Sequence, residues 1–190
     1  MFKIKKTINT NNGDIMKKES IWIKDLKIKK NKPLDKDITV DILIIGGGLT
    51  GISTLYNLRN ENLNICLVEQ NYIGSGVTSK STAKINYLQE TIYTDISKKY
   101  DKETAKKYYD SQIYAINKIK EIIKKENISC NLEQTESYTF TNNKEEIDTI
   151  KNEKKLLEEF GSTIYEHTKI DLPLKSKYAI SVKDTYVFHP

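Results

Sequence analysis

Val40-Asp-Ile-Leu-Ile-Ile-Gly-Gly-Gly-Leu-Thr-Gly-Ile-Ser53 carries the clearest structural signal in the chain. A short apolar run, Ile42 to Ile45, leads into a glycine cluster, and apolar residues at helical spacing follow from Leu49 to Leu58. β-Branched residues bounded by glycine and followed by a helical period predict a buried strand, a tight turn and a helix, which is how a βαβ unit opens. Gly46, Gly48 and Gly51 fill the G-x-G-x-x-G positions. In such a loop the first glycine turns the chain off the strand and the second lets a pyrophosphate meet bare backbone. The third lets the helix lie close to the sheet. The unpaired N–H groups of the helix's first turn, with its dipole, then favour an anion.

One glycine motif alone is weak evidence, and its plain alternative is an ordinary crossover with a glycine-rich turn. Here a second apolar run, Ile65-Cys-Leu-Val68, ends in Glu69, which lies 69 − 51 = 18 residues beyond the last glycine. That is close to the ~20 residues expected of an acid that holds the adenosine ribose. Strand, turn, helix, strand and acid together predict an adenine dinucleotide site. A carboxylate at Glu69 disfavours NADP, whose 2′-phosphate would sit against it.

After Glu69 the chain does not deliver a third strand at once. It presents another glycine loop, Gly74 and Gly76, crowded with Ser75, Thr78, Ser79, Ser81 and Thr82. Small hydroxyl residues beside glycine offer donors to a phosphate or a flavin edge without bulk. Standing alone this would be a solvated Gly/Ser loop; following Glu69 it reads as a second wall of the cofactor site.

Asp41 to Gly51, Val68-Glu69 and Ile73-Gly-Ser-Gly-Val-Thr-Ser-Lys-Ser-Thr-Ala-Lys84 together resemble the D-amino-acid-oxidase-type family of FAD-dependent oxidoreductases. Within it they resemble the bacterial gamma-glutamylputrescine oxidase-like branch. The resemblance implies FAD extended along the first strand. Gly46, Gly48, Leu49, Thr50 and Gly51 would then meet the pyrophosphate, and Glu69 with Gln70 the adenosine ribose. Gly76, Thr78, Ser81 and Thr82 would line the phosphate and approach the flavin. It further implies oxidation of an amine or amino-acid C–N bond by hydride transfer, followed by imine hydrolysis, with oxygen or another acceptor reoxidising the cofactor. One departure stands out. Related sequences carry Gln-His-Gly where this chain has Leu88-Gln89-Glu90, which puts in question any contact made there near the flavin.

Composition narrows the classes. The 190 residues carry 30% charged side chains and a net charge of +5, drawn almost wholly from lysine, since Arg59 is the single arginine. Sequence-specific nucleic-acid readers favour the arginine fork, so scattered lysine reads as solvated surface and no nucleic-acid partner is expected. No run reaches the ~20 apolar residues of a membrane span. Cys66 and Cys130 form no C-x-x-C pair, Cys66 reads as a small core residue, and a reducing cytoplasm fits best. The polar arm before the first strand lacks the apolar core of a secretory signal. Met16 is an alternative start to Met1, Trp22 a candidate anchor for the arm, and Pro33 marks a linker.

Further along, apolar Ala105, Tyr108, Tyr109, Ile113, Ile116, Ile119 and Ile123 predict a helix over 101–127 capped by Asp101. Ser137 to Thr141 reads as a strand. Asn143 to Glu146 reads as a capping box for a helix to Phe160 that Gly161 stops. The mixed charges of Lys151 to Glu159 read as that helix's solvated surface. Short β-like runs follow at 162–165, 178–182 and 185–188. His167 and His189 lack a Ser, Cys or ligand partner at a diagnostic spacing, so neither a catalytic triad nor a metal site is expected.

The sequence thus predicts an α/β chain: a Rossmann-like FAD-binding βαβ unit with a partial α+β substrate domain, truncated at the C-terminus. The expected divisions are an arm and linker (1–39), the N-terminal part of the FAD domain (40–129) and the start of the substrate domain (130–190). A second chain supplying a missing half is one expectation, and a fragment inactive alone follows from it. Two other classes stay open, an NAD-dependent reductase and a non-catalytic FAD-binding remnant. No catalytic residue can be named.

Overall fold

The computed structural model describes residues 20–23, 33–171, 173 and 175–190. The choice between Met1 and Met16 and most of the arm lie outside the described residues. Within the arm, Ser20 to Ile23 closes a turn through the Ile23 N–H on the Ser20 carbonyl, and Trp22 is half-buried there. The chain forms two compact units, one ending at Lys80 and one beginning at Ser81. By contacts, residues 81–129 therefore group with 130–190. The boundaries expected at 39/40 and 129/130 do not coincide with this division.

The first unit is built around a parallel pair, β1 (Ile42–Ile45) and β2 (Ile65–Val68), joined by helix α1 (Leu49–Leu58). Register runs from Ile42 opposite Ile65 to Ile45 opposite Val68. Asp41 clamps the open end: its N–H donates to the Asn64 carbonyl and its carboxylate accepts the Asn64 N–H at 2.8 Å. The expected burial of this unit is corrected. Leu43 is 53% and Ile45 81% exposed, α1 buries none of its residues, and Cys66 is only half-buried. A two-stranded sheet with one helix has too few elements to cover both faces, and a parallel sheet needs both covered.

The second unit is an antiparallel sheet backed by helices. Strand β6 (Tyr178–Val187) is its spine, pairing with β3 (Lys84–Ile85), β4 (Glu133–Thr141) and β5 (Tyr165–His167). The runs read separately at 178–182 and 185–188 are one strand. They looked separate because the Lys183-Asp184 pair is polar and the register with β4 shifts there, Ser137 facing Val182 and Thr135 facing Thr185. Likewise β4 starts four residues before the predicted Ser137, and β5 lies later than 162–165.

Helix α3 (Lys102–Lys125) forms as the period demands, with the Asp101 carboxylate accepting the Thr104 N–H at 2.6 Å. It buries Ala105, Tyr109 and Ile116 against Tyr93, Leu157, Phe160, Ile180 and Val182. Helix α2 (Ile92–Lys99) had no sequence signal beyond its short amphipathic spacing. Asn143 caps a 3-10 turn, Lys144–Glu146, before helix α4 (Ile147–Glu159) begins. The reciprocal arm of the expected capping box is absent, because the Glu146 carboxylate accepts the Thr141 hydroxyl at 2.5 Å and Thr141 accepts the Asn143 N–H. Gly161, at φ +104, closes α4: its N–H reaches the Glu158 carbonyl, and the Ser162 N–H the Leu157 carbonyl. These two bonds form a Schellman stop.

The solvated reading of 151–159 fails at one residue. Glu153 is 0% exposed, and its carboxylate accepts the Tyr93 and Thr94 N–H groups at 3.1 and 2.7 Å and the Thr94 hydroxyl at 2.5 Å. It supplies α2 with the cap that Thr91 does not provide.

Candidate cofactor site

The turn after β1 is held from both sides. The Gly46 N–H donates to the Val68 carbonyl at 2.8 Å, and Gly46 has φ +103, a conformation that favours glycine. Gly51 is fixed more firmly, since a Cβ there would lie 2.0 Å from the Gly46 carbonyl oxygen. Close approach of helix to strand, inferred from the motif, is therefore a steric fact at this position. Gly47, which the motif leaves unassigned, is also constrained: its Cβ would lie 2.5 Å from Ile73 Cδ1 and 3.2 Å from Glu69 Cβ. At Gly48 the nearest atom to such a Cβ is Thr78 Oγ1, at 3.4 Å. Protein packing alone therefore does not demand glycine at position 48.

Glu69 follows β2 directly and turns onto the loop. Its Oε2 accepts the Gly47 N–H at 2.7 Å, and its Oε1 accepts the Asn71 N–H at 3.0 Å and the Ser75 hydroxyl at 3.3 Å. The Asn71 and Gly47 amides hold its pKa below the ordinary carboxylate value. Gln70 is exposed and lines, with Asn71, Tyr72 and Ser75, a recess of about 370 Å³.

The second glycine loop docks on the first, the Gly74 N–H donating to the Gly47 carbonyl at 2.8 Å. Ser79 is buried and ties the loop to itself, its hydroxyl donating to the Ser75 and Gly76 carbonyls. Thr78 Oγ1 accepts the Leu49 N–H at 3.0 Å. It thereby caps α1, whose own cap residue, Gly48, has no side chain. Thr50 and Gly51 follow with first-turn amides that have no intrahelical partners. Gly46, Gly48, Leu49, Thr50, Gly51, Glu69, Gln70, Gly76 and Thr78 thus all lie in the first unit, where two loops and a helix start converge. Ser81 and Thr82 belong to the second unit: Ser81 Oγ accepts the Ala83 N–H at 3.0 Å, and Thr82 is exposed.

Two arrangements escaped sequence reasoning. Glu90 sits at φ +53, in the left-handed region that favours glycine. His167 Nε2 lies 2.7 Å from Ser181 Oγ, and Ser181 donates to Glu136 at 2.6 Å. Strands β4, β5 and β6 bring together residues that no sequence spacing links. This is not a nucleophile triad: Ser181 is 0% exposed, and both partners converge on its hydroxyl instead of forming a relay. Among the described residues, no group of three or more His, Cys, Asp or Glu side chains is placed to hold a metal ion, and no helix is long and apolar enough to cross a membrane.

A parallel βαβ unit with a glycine loop at the strand's carboxyl end and an acid on the next strand defines a protein of the dinucleotide-binding class. The chain belongs to the FAD dependent oxidoreductase family, whose model matches residues 41–189. It is 30% identical over 172 residues to the "Putative Rieske 2Fe-2S iron-sulfur protein YhfW" of Bacillus subtilis, covering 90% of this chain and 34% of that protein. To the gamma-glutamylputrescine oxidoreductase of Escherichia coli it is 25% identical over 129 residues, 68% of this chain and 30% of that one. Glycine oxidase from Geobacillus kaustophilus shares the fold, with a TM-score of 0.60 at 14% identity over 79% of this chain and 40% of that one. The chain spans about a third of the length of these two curated relatives. FAD is the cofactor of the family.

Proposed function

We propose that this chain carries the FAD-gripping N-terminal part of an oxidoreductase acting on an amine or amino-acid C–N bond. The observation that carries the reading is the convergence of Gly48, the α1 amides, Glu69 and Thr78. A Cβ at Gly48 would meet the Thr78 hydroxyl in ordinary contact at 3.4 Å, so bare backbone there gives a diphosphate room to approach, and substitution at Gly51 is sterically blocked. Gly46, Gly48, Leu49, Thr50 and Gly51 hold the pyrophosphate. Glu69 and Gln70 hold the ribose, Glu69 exchanging one loop amide for a sugar hydroxyl. Gly76, Thr78, Ser81 and Thr82 serve the phosphate and the approach to the flavin. FAD supplies the hydride acceptor; these residues bind and orient it.

The amine or amino-acid substrate class is supported by the gamma-glutamylputrescine oxidoreductase and glycine oxidase similarities. The segments 40–129 and 130–190 would then be the flavin-side and substrate-side parts. Leu43 and Ile45 await cover from further FAD-domain sequence, on this or a second polypeptide. A cytoplasmic setting fits the two unpaired thiols. Titration of the purified chain with FAD and, separately, with NADH tests the reading: FAD binds and NADH does not. Binding of NADH alone would replace it with a nicotinamide-dependent reductase.

A further inference from the structure

One cavity of the second unit takes no part in the FAD reading. About 340 Å³ in volume, it lies among α3, the turn after α4 and the end of β6. Tyr87, Tyr109 and Tyr186 line it and are each less than a tenth exposed. The Tyr109 hydroxyl is 2.7 Å from Ser162 Oγ, which donates onward to the Tyr87 hydroxyl at 3.4 Å. From α3, Lys120 Nζ donates to the Tyr186 hydroxyl at 2.7 Å and stands 4.7 Å from the centre of that ring. This uses one of its three donors, and leaves the Tyr186 O–H itself available to donate.

Asp184 lines the same cavity from the register shift of β6, where Lys183 and Asp184 together face the single residue Glu136. Bulges of this kind re-aim side chains. Its charge is felt inside: the Tyr87 hydroxyl is pushed up in pKa first by burial, then by Tyr109 and Asp184. Among the described residues no ion pair joins Lys120 to Asp184. A simple anion entering the cavity would meet Asp184, and a simple cation would meet Lys120. A small molecule carrying both charges satisfies both.

We propose that this cavity binds a small α-amino acid as its zwitterion, the carboxylate on Lys120 and the Tyr186 hydroxyl, the ammonium on Asp184. The site is formed within the second unit and requires no FAD.

Calorimetric titration of the 190-residue chain with L-alanine tests this, with propionate and ethylamine as single-charge controls. L-Alanine binds at millimolar concentration or tighter, and each control binds about tenfold more weakly or not at all, the scale of one charge-assisted hydrogen bond. Lys120→Met and Asp184→Asn each weaken L-alanine about tenfold or more, with near-ultraviolet circular dichroism of the tyrosines and FAD uptake unchanged. Absence of L-alanine binding, propionate binding as tightly as L-alanine, or indifference to both substitutions would overturn the proposal. The controls need no variant, so a misfolded variant does not rescue it.

Discussion

Gly51 and Gly48 share a motif but answer to different constraints, and substitution separates them. Alanine at 51 drives a Cβ to 2.0 Å from the Gly46 carbonyl. Gly51→Ala should therefore cost the first unit about 3 kcal/mol, the upper range for overpacking, seen as lost secondary structure by circular dichroism. Gly48→Val should leave that signal intact and abolish FAD uptake, because the protein places only the Thr78 hydroxyl, at 3.4 Å, beside that position; stoichiometric FAD on this variant would refute the placement. Glu90 gives a third test. An L residue in the left-handed region costs about 1–2 kcal/mol, so Glu90→Gly should raise the thermal midpoint of the second unit, while a lowered midpoint would mean that the glutamate side chain matters more than its backbone. The turn at Gly46 and the close approach at Gly51 were legible in the sequence because they depend on short spacings, whereas the hold of Glu69 on the Gly47 and Asn71 amides was not. Gly47 was not, because its constraint is the Ile73 side chain, brought in by a loop.

Among elements, α1 and α3 were readable from period and cap, whereas α2 was not, because its stabilising group is distant. Glu153 lies 59 and 60 residues from the amides it accepts, and among charged neighbours on α4 its sequence gives no sign of burial. Glu153→Leu should destabilise the second unit by about 2–4 kcal/mol, because two buried N–H groups lose their acceptor. Burial raises the Glu153 pKa above 4.5 against the opposing bonds from Thr94 and Tyr93. The protonated form is thus favoured in the folded state, so its contribution is complete below pH 4.5 and declines as pH rises through the folded value. Chemical denaturation across that window should show the decline in the native chain and not in Glu153→Gln. Equal slopes would place the pH dependence on another group.

At the scale of the whole molecule the two units differ in completeness. The second has a closed core around Tyr93, Leu157 and Ile180, all 0% exposed, while the first leaves Ile45 at 81% and Val77 at 85% exposed. Exposed apolar surface of this kind marks a face that another element covers or that associates. Sedimentation equilibrium should show concentration-dependent self-association of the isolated chain, reduced by Ile45→Lys with the tyrosine dichroism of the second unit unchanged. A strictly monomeric native chain would show that the face is tolerated in water. That imbalance was foreseeable from one βαβ unit with no third strand, but the long β6 spine was not, since a polar pair at its bulge masked its continuity.

Whether the glycine loop and Glu69 grip FAD is decided by equilibrium titration of the cofactor into the native chain and into Glu69→Ala. FAD should bind the native chain measurably, and the substitution should weaken it by roughly 1.5–3 kcal/mol, the scale of a charge-assisted hydrogen bond. Equal affinity in the two proteins, or no binding to the native chain, would contradict it.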